Sequence, residues 1–231
     1  MQYNFDQNYF DIPKTNTIWI LAPGPSLDMF NFSLIKKNHI TIACNSVISV
    51  YQHPTYQIAF DLASIKYYQK YNYPGLIWFT REKTMQVAAA YNLNQIIVEQ
   101  IMERQGRGSG LEAIHIAYYL CYFQEAIKNI NYVGLDFTDI MNAKNRYYYA
   151  SCVELLEFQY QWQLPKGWKL KDYTKKMTNH SSYRAQLAQI NKIINTFKNI
   201  NFNSYSFIDL KRNDFNKELL EKQGEPVFQP K

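Results

Sequence analysis

At 231 residues and 47% hydrophobic content, the chain is neither disordered nor fibrous, and its length suits one large domain with a generous core. The 25 Lys and Arg against 19 Asp and Glu leave a net charge of +6, a balance compatible with nucleic acid, anionic lipid or a phosphorylated substrate. The basic residues fall in scattered pairs such as Lys36-Lys37, Lys175-Lys176 and Lys211-Arg212, with no zinc-finger, basic-zipper or RNP signature, so a sequence-specific nucleic-acid binder is not expected.

The first strong element is the apolar, β-branched run TIWILA at 17–22, which predicts a buried parallel strand. It runs into the turn Pro23-Gly24-Pro25-Ser26-Leu27, after which a helix is expected. Strands are predicted again at 39–45, 56–61, 75–80 and 94–100. The polar, glycine-rich stretch 101–110 precedes Leu111, Ile114, Tyr118 and Cys121, which recur at helical spacing with Ser109 as the expected N-cap. A buried strand at 131–137 ends in Asp136-Phe137, and 138–179 loses periodicity, as a lid or insertion would. Leu187, Ile190, Ile194 and Phe197 mark a helix, followed by a last strand near 202–208. This alternation predicts one α/β domain, spanning 1–231, with a mostly parallel sheet and helices on both faces.

Cys44, Cys121 and Cys152 occupy apolar positions without CxxC spacing, which fits reduced thiols better than disulfides. The N-terminus lacks the pattern of a signal peptide, and no run approaches the roughly 18–20 apolar residues of a membrane span. A cytoplasmic protein is expected, with contact at the inner membrane face and self-association left open.

Two glycine turns can bring backbone N–H groups close to a ligand. Ala22-Pro23-Gly24-Pro25-Ser26-Leu27 is neither a GxGxxG fingerprint nor a Walker loop, and it serves equally as an ordinary strand-to-helix turn. Gly106-Arg107-Gly108-Ser109-Gly110 again stands just before a helix. Asn45 and Asp61 end predicted strands, where open α/β sheets bind ligands and where a plain strand-end cap is also common. His180 stands in the polar run Thr178-Asn179-His180-Ser181-Ser182, accessible and able to act as a base, whereas His115 reads as structural. HExxH, DxD and GxSxG are absent, so neither a metal site nor a serine hydrolase is expected; Asp136 and Asp139 read as a loop cap.

The ordered set Gly24-Pro25-Ser26-Leu27, Ala43-Cys44-Asn45, Gly108-Ser109-Gly110, Gly134-Leu135-Asp136-Phe137 and His180-Ser181 resembles the bacterial CMP-sialic-acid-dependent sialyltransferases of lipooligosaccharide synthesis. The resemblance implies a Rossmann-like (GT-A-like) domain with a lid at about 138–179. It also implies metal-independent, inverting transfer of sialic acid from a CMP-sugar donor, without a cofactor, to a glycan or glycolipid acceptor. Carried over, Gly24, Pro25, Ser26, Asn45, Asp61, Gly108, Ser109, Gly110 and Asp136 belong to the donor site. His180 takes the place of the general base, and Tyr147, Tyr148 and Tyr149 are the candidates to stabilise the departing phosphate. The chain departs from the family pattern at Pro23, where an Asn is usual, at Gly108, where a Thr is usual, and at Thr138, where an aromatic is usual; CMP-Kdo is a second candidate donor. The same Gly-Pro-Ser-Leu and Gly-Ser-Gly elements are similar to the hydroxymethylpterin diphosphokinase and flagellin-glycosylation factor family. An ATP-dependent diphosphokinase-like enzyme and a non-catalytic nucleotide-binding protein are therefore the alternatives.

Overall fold

The computed structural model describes residues 13–24, 26–27, 30–101, 108–135, 181–197, 199–206, 208–209 and 214–215. Their principal strands are β1 (Thr17–Leu21), β2 (Ile40–Cys44), β3 (Tyr56–Ile58), β4 (Ile77–Thr80), β5 (Gln95–Ile97), β6 (Asn129–Val133) and β7 (Asn201–Ser204). They form one seven-stranded sheet in the order β5-β4-β3-β2-β1-β6-β7, with every neighbouring pair parallel. The helices are α1 (Leu62–Tyr68), α2 (Met85–Ala90), α3 (Val98–Ile101), α4 (Ser109–Phe123) and α5 (Ser181–Thr196). A short antiparallel pair, β8 (Ile208–Asp209) and β9 (Asp214–Phe215), follows. The fold is therefore α/β, as the alternating pattern predicts.

Apart from Thr17 and Thr41 the residues of β1 and β2 are apolar because both faces of the sheet are covered, and all five residues of each strand are buried. On one face Ile18, Ile20, Ile40, Ile42, Ile58 and Tyr132 pack in the same cluster as α4 and the α5 residues Ile190, Ile193 and Ile194. Helix α4 is buried on every side from Leu111 to Cys121, so its sequence is mostly apolar rather than striped, with Glu112 and His115 as the ionisable residues enclosed in it. On the other face Trp19, Leu21, Ala43 and Val133 lie against Leu27 and Val47 with Phe30, Phe32, Ile35, Tyr51 and Tyr205. Trp19 anchors that layer, 5.2 Å from Phe30 and 5.0 Å from Tyr205 between ring centroids. Towards β4, Trp78 and Ala59 pack with Ile48, Ile65, Tyr68, Ala88 and Leu93 beneath α1 and α2.

Several details differ from the sequence reading: the strands expected over 56–61 and 131–137 are Tyr56–Ile58 and Asn129–Val133, so Asp61 lies beyond the strand it was expected to end. The strand expected over 94–100 is β5 alone, since the chain turns helical at Val98. No α-helix follows the Pro23-to-Leu27 turn among the described residues; Ser26 and Leu27 are in 3-10 conformation, and a 3-10 turn, Phe32–Leu34, is capped by Asn31, whose side chain accepts from the Ser33 N–H at 3.0 Å. Proline at 23 and 25 removes backbone donors, and the aromatic residues that follow cover the sheet without a helix. The N-cap of α4 is Gly108 rather than Ser109.

Cys44 and Cys121 are buried free thiols, and burial pushes both up to about 12, which makes them inert packing residues at neutral pH; Cys152 lies outside the described residues. Among the described residues no helix is long and apolar enough to cross a membrane.

His115 is 2% exposed, and its Nε2 has no hydrogen-bond partner among the described residues. Burial lowers its pKa from 6.5 to about 4. A lowered folded-state value means that the unfolded chain binds the proton first. The imidazole's contribution to stability is thus complete above about pH 6.5 and is lost as the pH falls towards 4. His115→Phe, which keeps a ring and removes the titration, is expected to flatten the decline of the melting temperature between those limits. An unchanged slope would contradict this.

Candidate functional site

Because the sheet is parallel, the loops after β1, β2, β3, β4 and β6 open on one edge. The chain walks outward from β1 to β5 and returns on the far side of β1 at β6, so the strand order reverses between β1 and β6. In open α/β sheets ligands bind at the carboxyl edge beside such a reversal.

There the first glycine turn is stitched to β6. The Ala22 N–H donates to the Val133 carbonyl, and the Gly24 N–H to the Gly134 carbonyl, both at 2.9 Å. The Gly134 N–H in turn donates to Ser26 Oγ at 2.9 Å. Gly134 has φ +75, and a Cβ added to it would fall 1.7 Å from the Ala22 carbonyl oxygen. The backbones therefore touch, and only glycine permits it. Ser26, a sequence-predicted donor-site residue, is 2% exposed and uses its hydroxyl in this junction. Gly24 sits at the same junction, and Leu135 extends it by donating its N–H to Ser206 Oγ at 3.0 Å.

A second cluster forms one strand away. Asn45 leaves β2 with φ +50, in the left-handed region that Asn tolerates better than most residues. Its Oδ1 accepts a hydrogen bond from Ser109 Oγ at 3.3 Å, joining residues 64 positions apart. Cys44 Sγ points to the Ser109 carbonyl at 3.8 Å, so β2 and the start of α4 meet at two points. Gly108 is extended (φ −132, ψ 149) and supplies no side-chain cap, and Ser109 and Gly110 open the 15-residue α4. Among the described residues no side chain at the N-cap bonds the first-turn N–H groups of α4, whose first turn carries Glu112, and this end of the helix lies beside Asn45.

Asp61 is exposed and stands as the N-cap of α1, with no side-chain cap hydrogen bond. Among the described residues nothing joins it to Asn45 or Ser109, so it shares the edge but not the cluster. Sequence reasoning missed two residues here. Arg81, which follows β4, is 5% exposed and lays its guanidinium 4.2 Å from the centre of the Phe60 ring, placing a cation at this edge. Gln57, inside β3, is fully buried and donates from Nε2 to the Asn45 carbonyl at 2.9 Å. A charged or polar residue directly after or within a short apolar strand was the available signal for both.

Pro25, Asp136, Tyr147, Tyr148, Tyr149 and His180, together with the expected lid at 138–179, lie outside the described residues. Among the described residues, no group of three or more His, Cys, Asp or Glu comes together as a metal site would require.

No family model matches the chain, and no curated protein or solved structure matches it either.

Proposed function

We propose that the chain is an inverting glycosyltransferase that moves sialic acid or a related acidic sugar from a CMP-sugar to a glycan hydroxyl. In this reading the domain is Rossmann-like (GT-A-like) and 138–179 closes over the donor as a lid. The observation that carries it is the Asn45–Ser109 hydrogen bond, which sets a polar pair beside the uncapped end of α4 at the ligand-binding edge of the sheet. With Oδ1 engaged by Ser109, the Asn45 Nδ2 is the donor left to a nucleotide, and the N–H groups of Ser109 and Gly110 receive its phosphate. A helix end and neutral donors then do the work that a cation does in metal-dependent transferases.

The chemistry follows the sequence resemblance. His180 takes the proton of the acceptor hydroxyl, the hydroxyl oxygen attacks the anomeric carbon, and the bond from that carbon to the phosphate oxygen breaks with its electron pair leaving on CMP. Tyr147, Tyr148 and Tyr149 supply hydroxyl donors to that phosphate. Gly24 and Ser26 act indirectly, by shaping the turn next to the donor, and Arg81 adds positive charge along the same edge.

Asn45→Ala and Ser109→Ala are each expected to weaken CMP binding about fivefold to tenfold, the worth of one hydrogen bond; Ser109→Ala does so with little loss of stability, whereas alanine at the left-handed position 45 also costs about 1–2 kcal/mol. Incubation with CMP-sialic acid and with CMP-Kdo, scored by chromatographic release of CMP, tests the reading. Release from one of them, slowed in both variants, is the expected result. Absence of release from either, alongside turnover of ATP with magnesium, would replace the proposal with the diphosphokinase-like one.

A further inference from the structure

Gln57 is paired in register with Ala43 on one side and Trp78 on the other, and none of its surface reaches solvent. A primary amide at such a position carries a desolvation cost that an aliphatic residue avoids. The cost is only partly offset. Nε2 donates to the Asn45 carbonyl at 2.9 Å and to the Ile58 carbonyl at 3.3 Å, whereas Oε1 is buried without a partner among the described residues. The better of the two bonds goes to Asn45, the one non-glycine residue of the candidate site, among the described residues, whose backbone is left-handed, with φ +50. A left-handed non-glycine residue persists when its surroundings over-determine it. Here the constraints are Gln57 on the Asn45 carbonyl and Ser109 on the Asn45 side chain.

We infer that Gln57 is a positioning residue of the donor site: its buried amide clamps the Asn45 carbonyl and so holds the turn that presents the Asn45 side chain to the nucleotide. The inference rests on the donor-site reading of Asn45 given above. It differs from a purely structural role in what removal does. Methionine at position 57 keeps the length of the side chain and eliminates the orphaned Oε1, which offsets part of the loss of the two Nε2 hydrogen bonds, so the fold is retained while Asn45 loses its clamp.

The test combines three readouts on the full chain: thermal melting, the backbone carbon resonances of Asn45, and calorimetric titration with CMP. Gln57→Met is expected to stay folded with a melting temperature within a few degrees of wild type, to move the Asn45 Cα and Cβ resonances away from left-handed values, and to weaken CMP binding about fivefold. In an Asn45→Ala background the same change is expected to have almost no further effect on CMP. Gln57→Leu serves as the second variant. Unmoved Asn45 resonances in both variants would overturn the inference, as would equal weakening with and without Asn45, or failure of both variants to fold. Wild-type protein that binds no CMP, with Asn45 resonances still responding to Gln57→Met, would sink the donor-site reading and leave the clamp supported.

Discussion

Gly134→Ala is expected to cost about 3 kcal/mol or more of folding stability, the largest effect of any conservative change at the carboxyl edge. Two penalties add. The residue has φ +75, where a side chain is strained, and its Cβ would lie 1.7 Å from the Ala22 carbonyl oxygen. The atom in the way is backbone, so no rotamer change relieves the contact. Relief requires the β1 and β6 loops to part, and the hydrogen bonds from Ala22 to Val133, from Gly24 to Gly134 and from Gly134 to Ser26 go with them. Chemical denaturation measures this directly. Gly75→Ala is the matched control, because Gly75 has φ +90 but nothing within 4 Å of its added Cβ. The control carries the strain without the clash and is expected to lose markedly less. Equal losses at the two positions would show that the junction contributes nothing beyond conformation.

His180→Ala is expected to lower glycosyl transfer about 10²–10⁴-fold, the usual worth of a general base, while leaving CMP affinity and melting temperature near wild type. The residue immediately precedes α5 in the sequence. The pH profile gives the sharper signature. A base must be neutral to accept a proton, so the wild-type rate should rise through the histidine range as the pH increases, and that ascending limb should disappear in the variant. A variant that retains both full rate and the limb would remove His180 from the mechanism.

Much of the architecture is legible in the residues themselves. Apart from Thr17 and Thr41, TIWIL and ITIAC are apolar, so apolar side chains fall on both faces of each strand as a sheet covered on both faces requires, and both appear as central strands. Spacing fails where tertiary packing takes over. The segment after β1 contains Phe30, Phe32 and Ile35, and these cover the sheet as an aromatic layer instead of as a helix. Ser109 has the composition of an N-cap, yet Gly108 takes that place and frees the serine hydroxyl for Asn45. The pairing of Asn45 with Ser109 spans 64 positions, so no local pattern encodes it; the two residues enter one site in the sequence reading only through a resemblance in motif order. Gly134 was visible as part of a motif, but its role depends on a carbonyl at Ala22, more than a hundred residues earlier in the chain. Gln57 reads as a routine alternating residue in a three-residue strand, and only its contact with the left-handed Asn45 sets it apart.

Calorimetric titration of the purified protein with CMP, UDP and ATP, each with magnesium and with a chelator, tests the central claim most directly. Selective binding of CMP that survives the chelator, and that weakens in Asn45→Ala and Ser109→Ala, is the predicted result. Selective binding of ATP that requires magnesium, or binding of none of the three nucleotides, would contradict it.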